Sequence, residues 1–146
     1  MKRILSFILC LTMIMSFASV VNAEHYSNFT DVKPDSWYYE DVDNAVRLGI
    51  INGKTETTFA PDDNLTYAEA IKLAACMYQL YKDGQVLIIP SGSPWYQTYV
   101  DYCKSVGIIS KDYNYNEKAT RAGYMEIFAN ALPGEALKGI NNIPDG

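Results

Sequence analysis

Two stretches of this chain say nearly the same thing, and that repetition limits the folds open to it. The first reads Trp37-Tyr-Tyr-Glu-Asp-Val42, Gly49-Ile-Ile-Asn-Gly53, Phe59-Ala-Pro61 and Thr66-Tyr-Ala-Glu69. The second reads Trp95-Tyr-Gln-Thr-Tyr-Val100, Gly107-Ile-Ile-Ser-Lys111 and Thr120-Arg-Ala-Gly123. In both, valine follows the tryptophan by five residues and glycine follows it by twelve. A period of this size means stacked supersecondary units, none of which can bury its apolar face alone.

Each unit reads as helix–loop–helix, so the expected fold class is mainly α. In the first, Asp35 or Ser36 is placed to cap a helix whose first turn carries Glu40 and Asp41. Tyr38, Val42, Ala45 and Val46 share one face, and Gly49 supplies the left-handed stop. In the second, Ser93 is the expected cap and Pro94 the first helical residue, with Tyr96, Val100, Cys103 and Val106 on the inner face before Gly107. Thr66-Tyr-Ala-Glu69 is a capping box that opens the next helix, which runs to about Lys82 and stops at Asp83-Gly84. Thr120 caps its counterpart, but Gly123 replaces the glutamate, at a cost of about 1 kcal/mol or somewhat more. The loop of the second unit is four residues shorter and lacks Phe59-Ala-Pro61, so it should be smaller or looser.

Residues 1–23 read as a secretory signal: Lys2 and Arg3, an apolar run from Ile4 to Phe17, and the A-x-A-like site Val21-Asn22-Ala23. A membrane anchor is the competing reading, but the run is short and is broken by Ser6, Thr12 and Ser16. Cys10 follows bulky Leu9, where a lipobox needs a small residue. Export is therefore expected, with no membrane attachment after cleavage. The remaining residues divide into 24–84, 85–139, and a closing segment, 140–146. There Asn142-Ile-Pro-Asp145 echoes Asn28-Phe-Thr-Asp31, as the start of a third unit would.

Losing Lys2 and Arg3 leaves ten basic against seventeen acidic side chains, a net charge of −7. Nucleic acid is an unsuitable partner, since phosphate binding needs a basic face. An anionic glycan would have to be held by a few local cations. Cys103 stands eight residues after its tryptophan, as Ala45 does, and so reads as a small buried position. Cys76 falls where the second unit has Asn130, which suggests partial exposure. The two do not form a recognisable disulfide framework, and with the lone His25 they make no zinc site. Asp62-Asp63-Asn64 offers too few oxygen ligands for calcium and reads as a turn. No cofactor is implied.

The run Phe29-Thr-Asp-Val32, Trp37-Tyr38, Gly49-Ile50, Gly53, Phe59-Ala-Pro61 and Thr66-Tyr-Ala-Glu69 resembles the S-layer homology (SLH) module. The resemblance implies three helix–loop–helix repeats arranged as a spindle, with one helix of each in a central bundle. Two repeats and the start of a third are present here. Grooves between repeats would bind secondary cell-wall polysaccharide, typically through a pyruvylated amino sugar, and localise the protein to the cell wall or S-layer surface. The arginine of the family's Thr-Arg-Ala-Glu motif, best placed to meet the pyruvyl carboxylate, corresponds to Arg121; the first repeat has Tyr67 instead. The family's glycine-rich turn corresponds to Gly49 and Gly53, and in the second repeat to Gly107 with Lys111 in place of the other glycine.

The candidate ligand-binding residues are thus Arg121, Tyr67, Gly49, Gly53, Trp37, Trp95 and Lys111. Several have simpler explanations. Trp37 and Trp95 read first as core anchors and only second as sugar platforms. Gly49 and Gly107 read first as helix stops. Arg121 differs, because a cation at a helix start contributes nothing to the cap and is mildly unfavourable there. The twelve tyrosines suit sugar contact and protein interfaces equally, and so decide nothing. The leading expectation is a non-catalytic module anchoring an exported protein to wall polysaccharide. The alternative is an envelope assembly protein whose repeats make protein contacts, either by self-association or by accepting a third repeat from a partner. Catalysis is not expected: His25 lies outside both repeats, and no nucleophile sits in a motif beside a base.

Overall fold

The computed structural model describes residues 26–134 and residue 136. The signal segment, His25 and the opening of a third repeat lie outside these residues. Four helices make up the described fold: α1 (Tyr39–Arg47), α2 (Tyr67–Asp83), α3 (Gln97–Ser105) and α4 (Arg121–Ala131), with no strand among the described residues. The protein is mainly helical. No described helix is long and apolar enough to cross a membrane.

The two short helices end in the same way. Gly49 and Gly107 have φ of 73° and 80°. After α1, Gly49 N–H donates to the Val46 carbonyl and Ile50 N–H to that of Ala45. After α3, Gly107 N–H donates to Lys104 and Ile108 N–H to Cys103. Each pair is a Schellman motif, which satisfies helix carbonyls and turns the chain at a residue that needs positive φ. Their starts differ from expectation. Neither Asp35 nor Ser36 caps α1, and neither Ser93 nor Pro94 opens α3; Tyr38 and Tyr96 occupy the N-cap positions without a side-chain cap bond. Backbone turns take over, with Tyr39 N–H on the Ser36 carbonyl and Gln97 N–H on that of Pro94.

The long helix α2 is fully capped. Thr66 Oγ1 accepts from Glu69 N–H (3.3 Å) while Glu69 Oε2 accepts from Thr66 N–H (2.8 Å). At the other end Gly84 adopts the left-handed conformation. This helix is the centre of the molecule and packs against both α3 and α4. Ala70, Ile71, Ala74, Ala75 and Cys76 on α2 are buried against Tyr99, Val100 and Cys103 of α3, Ile108 and Ile109 after it, and Ile127 and Ala131 of α4. The alanines leave room for two neighbours to approach at once. In contrast, α1 has no helix packed on it among the described residues: it is held by loops, with Val42 turned inward.

Two expectations about burial fail. Cys76 is buried, although its counterpart Asn130 is exposed. The reason is position: among the described residues α2 lies between two helices, whereas α4 packs on α2 alone. Both thiols are free. Burial pushes the Cys103 pKa up to about 12 and also raises that of Cys76, so neither is a reactive thiolate. The tryptophans are not core anchors. Trp37 is 88% exposed, edge-on to Tyr38, and Trp95 is 47% exposed against Tyr96 and Tyr99. Each stands two residues before its helix begins, outside the apolar face that the helix buries.

Candidate functional site

The start of each long helix is where cation, glycine and aromatic ring could meet a ligand, and the two starts have been put to different uses. At α2 the first amides are already occupied. Tyr67 N–H donates to the Glu117 carbonyl and Ala68 N–H to that of Tyr115, while Ala119 N–H donates back to Leu65. The loop of the second repeat therefore closes the N-terminus of α2. The Tyr67 ring lies against Tyr113 at 4.8 Å between centroids. Its hydroxyl reaches Thr120, 3.2 Å from Oγ1, and accepts from the Thr120 amide at 3.4 Å.

That last bond explains Gly123. In a complete capping box the third helical residue reaches back to the N-cap amide; here Tyr67 of the other repeat does so in its place. A Cβ on Gly123 would stand 2.5 Å from the Tyr67 hydroxyl, so the glycine makes room for the tyrosine. Thr120 Oγ1 still accepts from Gly123 N–H at 3.1 Å. The lost glutamate is thus offset across the repeat boundary.

At the start of α4 the arrangement is open. Arg121 is exposed, and its guanidinium makes no hydrogen bond or ion pair with any described residue. The amides of Arg121 and Ala122 have no backbone partner among the described residues. Lys111, by comparison, is engaged: its ammonium lies 2.9 Å from Glu126 Oε2 and 5.3 Å above the Tyr113 ring. The bond to Glu126 raises its pKa. Tyr67, Tyr113, Lys111 and Thr120 therefore form one row, with Arg121 next to it. Gly49, Trp37 and Trp95 lie apart from that row. A Cβ on Gly49 would simply touch Val86 at 3.7 Å.

Gly53 belongs to a second feature, a cleft of about 280 Å³ between the first loop and α2. Two of its lining residues are held by Asp31, whose carboxylate accepts from the amides of Phe59 (2.9 Å) and Ala60 (2.7 Å). Those amides hold the Asp31 carboxyl below its usual range. The Phe29 and Phe59 rings stack at 5.6 Å. Gly53 has φ of 75°, and any side chain there would collide with Phe29 and with the Thr58 carbonyl at 2.8 Å. Phe59, Pro61, Leu65 and Leu73 share the lining with Lys72 and with the carboxylate-bearing Asp63 and Glu69, the latter holding Lys54 at 2.6 Å. Sequence reasoning missed Asp31, Tyr113 and Lys72. The last had a visible signal, a lysine set between Ile71 and Leu73 in an apolar helix.

Residues 28–71 match the family model for the S-layer homology domain. The chain is 30% identical over 129 residues to the surface-layer 125 kDa protein of Lysinibacillus sphaericus, covering 82% of this chain and 11% of that protein. It is 27% identical over 110 residues to the S-layer protein of Bacillus thuringiensis subsp. finitimus (74% of this chain, 13% of the relative). An endoglucanase of Bacillus sp. (strain KSM-635) shares 37% identity over 75 residues (47% of this chain, 8% of the enzyme). The chain spans about a tenth of the length of these curated relatives. No solved structure matches it.

Proposed function

We propose that this chain, a member of the S-layer homology family through residues 28–71, is a non-catalytic module that anchors an exported protein to cell-wall polysaccharide at the bacterial surface. The relatives support that location: two are surface-layer proteins, and the segment shared with the endoglucanase is 8% of that enzyme. In the finer reading, the helices belong to a three-repeat spindle over 24–84, 85–139 and a third unit opening at 140–146. The ligand is an acidic sugar of the polysaccharide, with a pyruvyl carboxylate as the group gripped.

The observation that carries this reading is the unpaired Arg121 at the open start of α4. A guanidinium fork matches a carboxylate with two parallel bonds, and free helix amides beside it favour the same charge. In a chain of net −7 after signal removal, attraction to an acidic polymer must be local. Tyr67 is committed to Thr120 and Tyr113, so its contribution is to hold the second repeat in place. The protein should sediment with purified walls that retain their polysaccharide, and not with walls chemically stripped of it. Equal sedimentation with both would overturn the glycan reading.

The assembly alternative has an observation of its own. Among the described residues α1 has no helical neighbour, and Trp37 beside it is 88% exposed. That arrangement suits a protein contact as well as a sugar.

A further inference from the structure

The glutamate that completes the capping box of α2 makes two contacts with one oxygen. Glu69 Oε2 accepts from the Thr66 amide and from Thr66 Oγ1, each at 2.8 Å. The second repeat has Gly123 at that position, yet both contacts are made there too. The Tyr67 hydroxyl accepts from the Thr120 amide at 3.4 Å and lies 3.2 Å from Thr120 Oγ1. Since its oxygen takes the amide hydrogen, its own hydrogen is available to Oγ1, which also accepts from Gly123 N–H. One phenol thus does for α4 what a carboxylate does for α2, but it comes from the other repeat.

Backbone pairing brings the phenol to that place. The Tyr67 and Ala68 amides donate to Glu117 and Tyr115, the Ala119 amide donates to Leu65, and Thr66 forms an antiparallel bridge with Lys118. Residues 65–68 and 115–119 therefore run side by side up to Thr120, and the Tyr113 ring backs the Tyr67 ring at 4.8 Å. Gly123 leaves the space, since the three atoms nearest a Cβ built there all belong to Tyr67. Thr120, held in the extended N-cap conformation, directly precedes Arg121. The Arg121 side chain has no partner among the described residues, so the backbone at Thr120 sets where its guanidinium points.

We propose that Tyr67 is the positioning residue for Arg121, acting through Thr120, so that the ligand site at α4 depends on a residue of the other repeat. Arg121 is then correctly aimed only while the two repeats are docked. By linkage, a ligand held by Arg121 tightens that boundary in return.

The inference rests on the anchoring reading, and one set of titrations separates the two. Purified wall polysaccharide is titrated calorimetrically into the full chain and into Tyr67→Phe, each with Arg121 and with Arg121→Ala. Tyr67→Phe keeps the ring against Tyr113 and removes only the hydroxyl. It should bind about three- to tenfold more weakly, the scale of one neutral hydrogen bond. Beside Arg121→Ala the same change should have no effect, because the hydroxyl acts through the arginine. Tyr67→Ala should also bind weakly, and adding Gly123→Gln should recover the affinity. A glutamine there completes the capping box from within α4, and it brings no charge to the site. If Tyr67→Phe binds as well as the parent, the positioning role is wrong and anchoring stands. An equal loss with and without Arg121 would make Tyr67 a direct ligand contact and overturn the proposal. So would a Tyr67→Ala/Gly123→Gln variant that melts like the parent and still binds weakly. If the parent itself does not bind, the anchoring reading fails and the positioning role fails with it.

Discussion

Arg121 and Tyr67 occupy the same place in their repeats, and their surroundings decide what each can do. Tyr67 has a ring partner, two contacts to Thr120 and a glycine that accommodates it. Arg121 has none of these, so its charge is available. Arg121→Ala should weaken polysaccharide binding by about 1.5–3 kcal/mol, the range for a hydrogen bond to a charged group. The melting temperature should hardly move, because the residue is outside the cap and the apolar face. Arg121→Lys should recover only part of the loss, since an ammonium cannot form the two-pronged pair. Undiminished binding by Arg121→Ala would remove the central residue of the glycan reading and favour assembly. Arg121 was legible because a cation at a helix start conflicts with local preference. The commitment of Tyr67 was not, because its partners Tyr113 and Thr120 come from the other repeat.

At the scale of elements, α2 depends on a cap that is also a charge cluster. Glu69 closes the capping box with Thr66 and pairs with Lys54. Its partial burial would raise the carboxyl pKa, but the bonds from Lys54 and Thr66 outweigh that and lower it from 4.5. A carboxyl depressed in the folded state contributes stability above its unfolded pKa and loses it as pH falls through the folded value. The contribution should therefore be complete above about pH 4.5 and be lost progressively as pH falls from there through the lower, folded value. Glu69→Gln keeps the cap geometry and removes the charge, so at neutral pH it should cost about 0.2–1 kcal/mol, as a partly exposed pair does. Thermal melts of parent and variant from pH 7 to 3 should converge in acid; parallel curves would show that the charge contributes nothing. Caps of this kind could be read from the sequence because Thr66 and Glu69 are three residues apart, and the stops at Gly49 and Gly107 are equally local. The starts of α1 and α3 could not, because backbone turns did the work assigned to Ser36 and Ser93. Trp37 and Trp95 were misread as core residues for a related reason: helical spacing identifies a face only for residues inside the helix.

Across the whole molecule, the distribution of packing is uneven. The helices α2, α3 and α4 share one core, while α1 rests on loops and has no helix against it among the described residues. Exposed near the ends of the short helices and in the connection between repeats are Trp37, Trp95, Leu87 and Ile89, at 88%, 47%, 55% and 83%. Large apolar side chains left in water in this number mark a contact surface more often than a free one. A spindle of three repeats would supply a helix beside α1, either from residues following the second repeat or from another chain. We therefore expect the chain to self-associate. Its weight-average mass in sedimentation equilibrium should rise with concentration, and Trp37→Ser should reduce that rise without lowering the melting temperature, because Trp37 contributes little to the core. A mass that stays at one chain across the concentration range, with a high melting temperature, would show that α2–α4 already close a sufficient core. The exposed tryptophans would then be free for sugar, and the anchoring reading would no longer compete with assembly for the same surface.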